Sequence, residues 1–261
     1  MKLHHVRRGT GEPLLLIQGM SGHHLHWGET FMTALEADFD CIAIDHRNTG
    51  MSPRADEPFT LGDLAVDAAA VLDELDLGSA HVLGISMGGM VAQELVLRHP
   101  DKVRSLVLGC TYAGGNGQQL SPPETLQILM EGMQSGDRAK ALRAAWDVNV
   151  SEAFAADEAN YEAFAEISAR KPVAVAVIMR QMQAIAQHDT SVRLGEVEAP
   201  TLVIHGTDDR MLPYANGEAI ARMIPGARLE TLEGVGHMFW TEQPERSAQL
   251  VREHCLASVE R

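Results

Sequence analysis

Gly84-Ile85-Ser86-Met87-Gly88 is the stretch of this chain best suited to covalent chemistry. The apolar run His81-Val82-Leu83 precedes it and a helical pattern from Gly89 to His99 follows, so the serine falls where a strand turns sharply into a helix. Such a turn strains the serine backbone and makes side chains two residues to either side collide; glycine at 84 and 88 removes both clashes. Ser86 Oγ then stands above the sheet, and the N–H of Met87, in the first turn of the helix, faces the same space. A hydroxyl is a weak nucleophile, so it needs a base, and the base needs an acid to orient it. His237, in Gly234-Val235-Gly236-His237-Met238, is the candidate base, and Gly206-Thr207-Asp208-Asp209 offers two candidate acids.

The elements that must position these residues follow from hydrophobic patterning. Short continuous apolar runs recur at Leu14-Leu15-Leu16-Ile17, Cys41-Ile42-Ala43-Ile44, His81-Val82-Leu83, Ser105-Leu106-Val107-Leu108 and Thr201-Leu202-Val203-Ile204, as expected of parallel strands buried on both faces. Residues 3–8 read as an edge strand or hairpin arm, and 227–232 as a last strand. Between them, 27–37 and 61–77 carry apolar residues at helical spacing; Thr60 with Asp63 forms a capping box for the second helix and Gly78 closes it. Residues 241–256 give a closing amphipathic helix. Strands alternating with helices specify an α/β fold, a mostly parallel sheet with helices on both faces, and in such sheets ligands sit beyond the carboxyl ends of the strands. The rhythm breaks between residues 112 and 192, where about four helices replace it, near 123–133, 137–148, 157–169 and 173–187, with Pro123 and Pro172 in first turns. That stretch is expected to form a cap over a core made of residues 1–111 and 193–261; a small bundle beside the sheet is the alternative. Met130, Met133, Met179 and Met182 are expected to pack inside it, with a flexible apolar pocket wall as their second role.

Five features fall in one order: Gln18-Gly19-Met20, Asp45-His46-Arg47-Asn48-Thr49-Gly50-Met51-Ser52, the glycine-flanked serine, Gly206 to Pro213, and Gly236-His237. In this the sequence resembles the α/β-hydrolase superfamily over essentially its whole length. The resemblance implies a helical cap inserted after the sixth strand. In the family's G-x-x-D-x-x-x-P register it puts the acid at Asp209 and not Asp208, and it completes an oxyanion hole with the backbone N–H of Met20 beside that of Met87. Many relatives carry histidine where this chain has Gln18. Arg47 is implied to tie loops together. The branches most similar are carboxylesterases, enol-lactonases and cofactor-free perhydrolases; a serine at the turn argues against dehalogenases and epoxide hydrolases, which have aspartate there.

The expected activity is cleavage of a small uncharged ester or lactone by Ser86, His237 and Asp209, with no cofactor. Gln18, His23, His24, Met179, Met182, Met211 and Met238 are candidates to line the substrate pocket. Hydrolysis of carbon–carbon bonds, acyl-CoA thioester cleavage or acyl transfer are alternatives on the same fold, and a noncatalytic small-molecule receptor is one of another class. A dinucleotide-binding fold is excluded, since no G-x-G-x-x-G follows Leu14 to Ile17. His23, His24 and His26 lack a carboxylate or cysteine at ligand spacing, so no metal is expected there. With 261 residues the chain can bury one large core, and its net charge of −15 opposes binding to nucleic acid and mildly disfavours coenzyme A. Cys41, Cys110 and Cys255 have no paired spacing and read as buried apolar groups in a reducing compartment. No apolar stretch is long enough to span a membrane, and a cytoplasmic location is expected. Nothing fixes the oligomeric state, a homo-oligomer included.

Overall fold

The apolar runs become strands of one seven-stranded sheet in a computed structural model that describes residues 1–259. In chain order these are β1 (His5–Arg8), β2 (Glu12–Ile17), β3 (Phe39–Ile44), β4 (Ala80–Ile85), β5 (Val103–Gly109), β6 (Thr201–Gly206) and β7 (Arg228–Leu232), arranged β1-β3-β2-β4-β5-β6-β7. All neighbours are parallel except β1, which runs antiparallel along β3. Helices α1 (Glu29–Glu36), α2 (Leu61–Glu74) and α3 (Met87–Arg98) connect the early strands. Five helices then fall between β5 and β6: α4 (Pro123–Gln134), α5 (Arg138–Asn149), α6 (Glu152–Ala155), α7 (Glu158–Arg170) and α8 (Val175–Ala186). The chain closes with α9 (Ala215–Met223), α10 (Phe239–Glu242) and α11 (Pro244–Val259).

Strand side chains alternate between two cores. Leu15 and Ile17 of β2 pack with Leu64 and Val71 of α2, Val91 of α3 and Ile220 of α9 on one face. Leu14 and Leu16 pack with Phe31 and Leu35 of α1 and Leu250 and Val251 of α11 on the other. All four β2 residues are fully buried, and each such side chain contributes roughly 1.5–3 kcal/mol by leaving water. The three cysteines are free and buried, as expected.

Three local expectations need correction. The helical insertion follows β5, the fifth strand, and not a sixth, because the amino-terminal segment folds as the single antiparallel strand β1. Helix α2 keeps its capping box, with Asp63 N–H donating to Thr60 Oγ1 and Thr60 N–H to Asp63 Oδ2, but it ends before Gly78. The left-handed residue that closes it is Asp76 (φ 54°), with Leu77 N–H reaching back to Leu72 O. Pro172 lies ahead of α8 instead of in its first turn.

One very close approach, between α3 and the end of β2, sets the position of the serine turn. A Cβ on Gly88 would lie 2.1 Å from Ile17 O and 2.5 Å from Gln18 O, and one on Gly84 would lie 2.3 Å from Gly88 O. These are rigid backbone atoms, so the clash can be relieved only by moving a strand or a helix. Gly88→Ala is therefore expected to cost more than about 3 kcal/mol, whereas Gly78→Ala, with open space around it, is expected to change stability by less than about 0.5 kcal/mol in urea unfolding.

Candidate active site

Ser86 occupies the junction between β4 and α3 with φ 54° and ψ −124°, a region L-residues visit only under constraint. The constraint is visible on both sides. Ser86 N–H donates to Gly109 O at 2.9 Å, and its carbonyl accepts from Gly89, Met90 and the Thr111 hydroxyl. The side chain is partly exposed at the carboxyl end of the sheet, while Met87 behind it is buried.

Asp209 and His237 come from the loops after β6 and β7, and His237 Nδ1 donates to Asp209 Oδ2 at 2.7 Å. A carboxylate accepts only, so this bond fixes the proton on Nδ1 and leaves Nε2 as the basic nitrogen. Asp208, the neighbouring candidate, is exposed and accepts from Thr207 Oγ1. Asp209 also accepts the N–H groups of Met211 and Leu212 on Oδ1. A second imidazole, His205 of β6, places Nε2 3.1 Å from Oδ2 and donates to Leu212 O at 2.7 Å. Burial alone would raise the Asp209 pKa, but His237, His205 and these hydrogen bonds outweigh it and hold the carboxyl well below the usual range. His205 reads in the sequence as an ordinary strand residue; its partners Asp209 and Leu212 are only four and seven residues on, but only the fold-back of the segment after β6 brings them to its ring.

Glu242 of α10 is another residue the sequence conceals. Its Oε1 accepts the N–H groups of Gly236 and Ser151, and its Oε2 accepts the Ser151 hydroxyl at 2.5 Å. It clamps the residue before His237 to the start of α6, and Met238 N–H adds a bond to Asn149 O at 2.9 Å.

On the other side of Ser86, a Cβ on Gly19 would come 3.1 Å from Ser86 Cβ, which places the loop after β2 directly against the serine. The amides of Gly19, Ser21, Gly22, His23 and His24 all have acceptors, namely Gln18 Oε1, Gln181 Oε1, Gly19 O, His26 Nδ1 and Asp45 Oδ1. Among the described residues the Met20 amide has none. Gln18 is buried, supports the loop through the Gly19 amide at 3.2 Å, and leaves Nε2 unpaired.

The remaining pocket candidates separate. His23 is fully buried with both ring nitrogens unpartnered, and burial pushes its pKa down to about 4. Met238 is buried and Met211 half-buried. Met179 and Met182 correct the expectation of an apolar interior: they are 52% and 45% exposed, as are about half of Met130 and Met133. The reason is helix phase: α8 buries Gln181 and Ala184, and α4, which carries Met130 and Met133, buries Thr125 and Gly132. His24 turns instead to Asp45, placing Nδ1 2.9 Å from Oδ1. An apolar groove of about 250 Å³ runs beside the site between Trp27, Phe31, Phe154, Phe164, Met238 and Trp240; Ser86 is not among its lining residues.

His4, His24 and Asp45 bring ligand atoms within 4.8 Å of one another. Asp45, fully buried, already accepts the N–H groups of His24 and Met51 and both imidazoles, so its oxygens are committed to a brace that ties the amino terminus, the β2 loop and the turn after β3. Arg47, on that same turn, pairs with Asp67 of α2. Burial raises the Asp45 pKa, but the bonds from His24 and Met51 prevail and bring it down from 3.8 to about 2. A depressed carboxyl stabilises the fold above its unfolded pKa and loses that contribution as pH falls through the folded value. Asp45→Asn is therefore expected to cost about 2–3 kcal/mol at pH 7. In urea titrations the gap between variant and wild type should narrow as pH drops from 5 to 2.

Comparison with known proteins identifies the family. The sequence profile of the alpha/beta hydrolase fold matches residues 12–244. A Pseudomonas savastanoi protein provisionally assigned as the carbamate hydrolase RutD is 29% identical over 244 residues, 90% of each chain. The poly(3-hydroxyalkanoate) depolymerase of Ectopseudomonas oleovorans is 30% identical over 241 residues, 92% of this chain and 82% of that one. The esterase RhEst1 from a Rhodococcus species superposes with a TM-score of 0.82 at 25% identity, over 98% of this chain and 99% of the other. A strained serine at a strand-to-helix turn, an Asp–His pair on the loops after β6 and β7, and a profile match across most of the length lead to one statement: the chain belongs to the alpha/beta hydrolase fold family.

Proposed function

We propose that this protein is a serine hydrolase that cleaves small uncharged carboxylic esters or lactones through an acyl-enzyme. The observation that carries the reading is the 2.7 Å pairing of Asp209 with His237, delivered by two separate loops to the end of the sheet where Ser86 is held at φ 54°. Ser86 Oγ attacks the substrate carbonyl while its proton passes to His237 Nε2, and Asp209 stabilises the imidazolium that forms. The carbonyl oxygen becomes an oxyanion that accepts from the N–H groups of Met20 and Met87, donors that need no reorganisation as charge develops. His237 then protonates the departing alkoxide. Water attacks the acyl-enzyme with His237 again as base, releasing the acid and restoring Ser86. We propose further that α4 to α8 form a cap. Hydrogen bonds from Ser21 to Gln181, from Arg210 to Asp147 O and between Ser151 and Glu242 link that segment to loops at the carboxyl ends of the strands. The named activities of the esterase and the depolymerase support ester chemistry, and RutD adds carbamates to the substrates worth trying.

Ser86→Ala is expected to melt at the wild-type temperature yet hydrolyse p-nitrophenyl acetate about 10⁴-fold more slowly. A fluorophosphonate should add once to the wild type, at Ser86, by peptide mass spectrometry. Retained turnover in the variant, or no adduct, removes the mechanism; a panel of esters, lactones, carbamates, acyl-CoAs and vinylogous diketones then ranks substrates.

A further inference from the structure

Two carboxamides bracket the loop that carries the Met20 amide. Gln18, at the end of β2, gives Oε1 to the Gly19 amide, and Gln181, from α8, gives Oε1 to the Ser21 amide at 2.9 Å. A backbone N–H can only donate, so both side chains must turn their oxygen toward the loop, and the orientation of each amide group is fixed by chemistry. Both are left with an NH₂ group that is buried and has no acceptor in the protein. Gln181 is the more telling of the two. It occupies the face of α8 turned toward the core, beside Ala184, while the methionines of the same helix lie outside. Burying a carboxamide there, with one half unsatisfied, costs more than an average hydrogen bond returns, so an apolar residue would serve packing better. Ser21 is itself a non-glycine residue at φ 59°, a conformation that needs an external tie, and the cap supplies it.

We propose that Gln181 has two tasks: its Oε1 holds the Ser21 turn so that the Met20 amide stays free, and its Nε2 donates to a second, neutral oxygen of the substrate acyl group. The ligand class is an ester or lactone whose acyl chain carries an ether, keto or similar acceptor near the scissile carbonyl. A neutral acceptor is favoured because the donors at hand, the NH₂ groups of Gln18 and Gln181, carry no charge to offset an anion's desolvation. The proposal rests on the reading of Ser86 as nucleophile and Met20 as oxyanion donor. It differs from that reading in making the cap contribute a polar contact to specificity.

The test uses p-nitrophenyl methoxyacetate and p-nitrophenyl butyrate, which differ by one oxygen in place of one methylene. The ratio of their kcat/KM values, corrected for their rates with hydroxide, is compared in the wild type, Gln181→Met and Gln181→Glu at pH 8. Expected is a ratio that falls about tenfold in both variants. Gln181→Met loses the tie to the Ser21 amide and Gln181→Glu sets a carboxylate beside the proposed oxyanion donor, so kcat should fall on both esters in both variants, and the ratio, not the absolute rate, carries the test. A ratio unchanged in both variants overturns the proposal and assigns Nε2 to a buried water, as does a drop of equal size on both esters. Fluorophosphonate labelling of each variant separates the two readings: label at Ser86 with an unchanged ratio sinks the role of Gln181 alone, whereas an unlabelled wild type removes the nucleophile and this proposal with it. Should Gln181→Met fail to fold by circular dichroism, the ratio in Gln181→Glu decides.

Discussion

The arrangement at the carboxyl end of the sheet depends on how near the first turn of α3 can come to the end of β2. Gly88 sits where any Cβ would strike the carbonyls of Ile17 and Gln18, and that approach places Ser86 against Gly19 and the Met20 loop. The serine's positive φ is a by-product of the same contact: the chain must reverse from strand to helix within one residue, with no room to spread the turn. Backbone strain of this kind costs about 1–3 kcal/mol, and the hydrogen bonds from Ser86 N–H to Gly109 O and from Thr111 to Ser86 O hold it in place. Gly109 and Gly89 extend the same tight packing, since side chains there would meet the Phe239 ring and Thr111.

Electrostatics organises the other half. A buried carboxylate is unfavourable unless its oxygens are filled, and Asp209 and Asp45 both satisfy that condition, Asp209 mostly from its own neighbourhood with His237 brought from the loop after β7, and Asp45 by gathering His4, His24 and Met51. Asp209 joins two backbone amides of its own loop with two imidazoles; Asp45 joins His4, His24 and the Met51 amide. Each carboxylate therefore acts as a knot among loops that the sheet alone would leave loose. One knot presents a basic imidazole nitrogen, and the other anchors the loop that offers the Met20 amide.

Much of this was legible in the sequence because it is local. Continuous apolar runs reveal buried parallel strands, and the glycines at 84 and 88 reveal a turn too tight for side chains. Residue type and order singled out His237 and the pair Asp208 and Asp209, and the family register pointed to Asp209 between them. What stayed hidden is what needs the third dimension. His205 looks like any strand residue until β6 and its following loop fold back, and Glu242 has no signature that ties it to Gly236 or Ser151. The methionine stripe misled because helix periodicity gives a face without saying which way it points; α8 turns Gln181 inward and Met179 and Met182 outward. The position of the insertion after β5 follows from how many strands the amino terminus makes, and residues 3–8 supply one.

The clamp formed by Glu242 carries a further consequence for the energetics of the whole assembly. Because Glu242 holds both Gly236 and Ser151, and Met238 is bonded to Asn149, the loop that orients His237 is anchored in part to α5 and α6 and not only to the sheet. Proteins open in sub-global units whose free energies can lie well below that of complete unfolding. Detachment of this helical segment would free the His237 loop and would also withdraw Trp146 and Val150 from one sheet core and Ala184 from the other, so the order of that loop is coupled to the docking of the insertion as well as to the sheet.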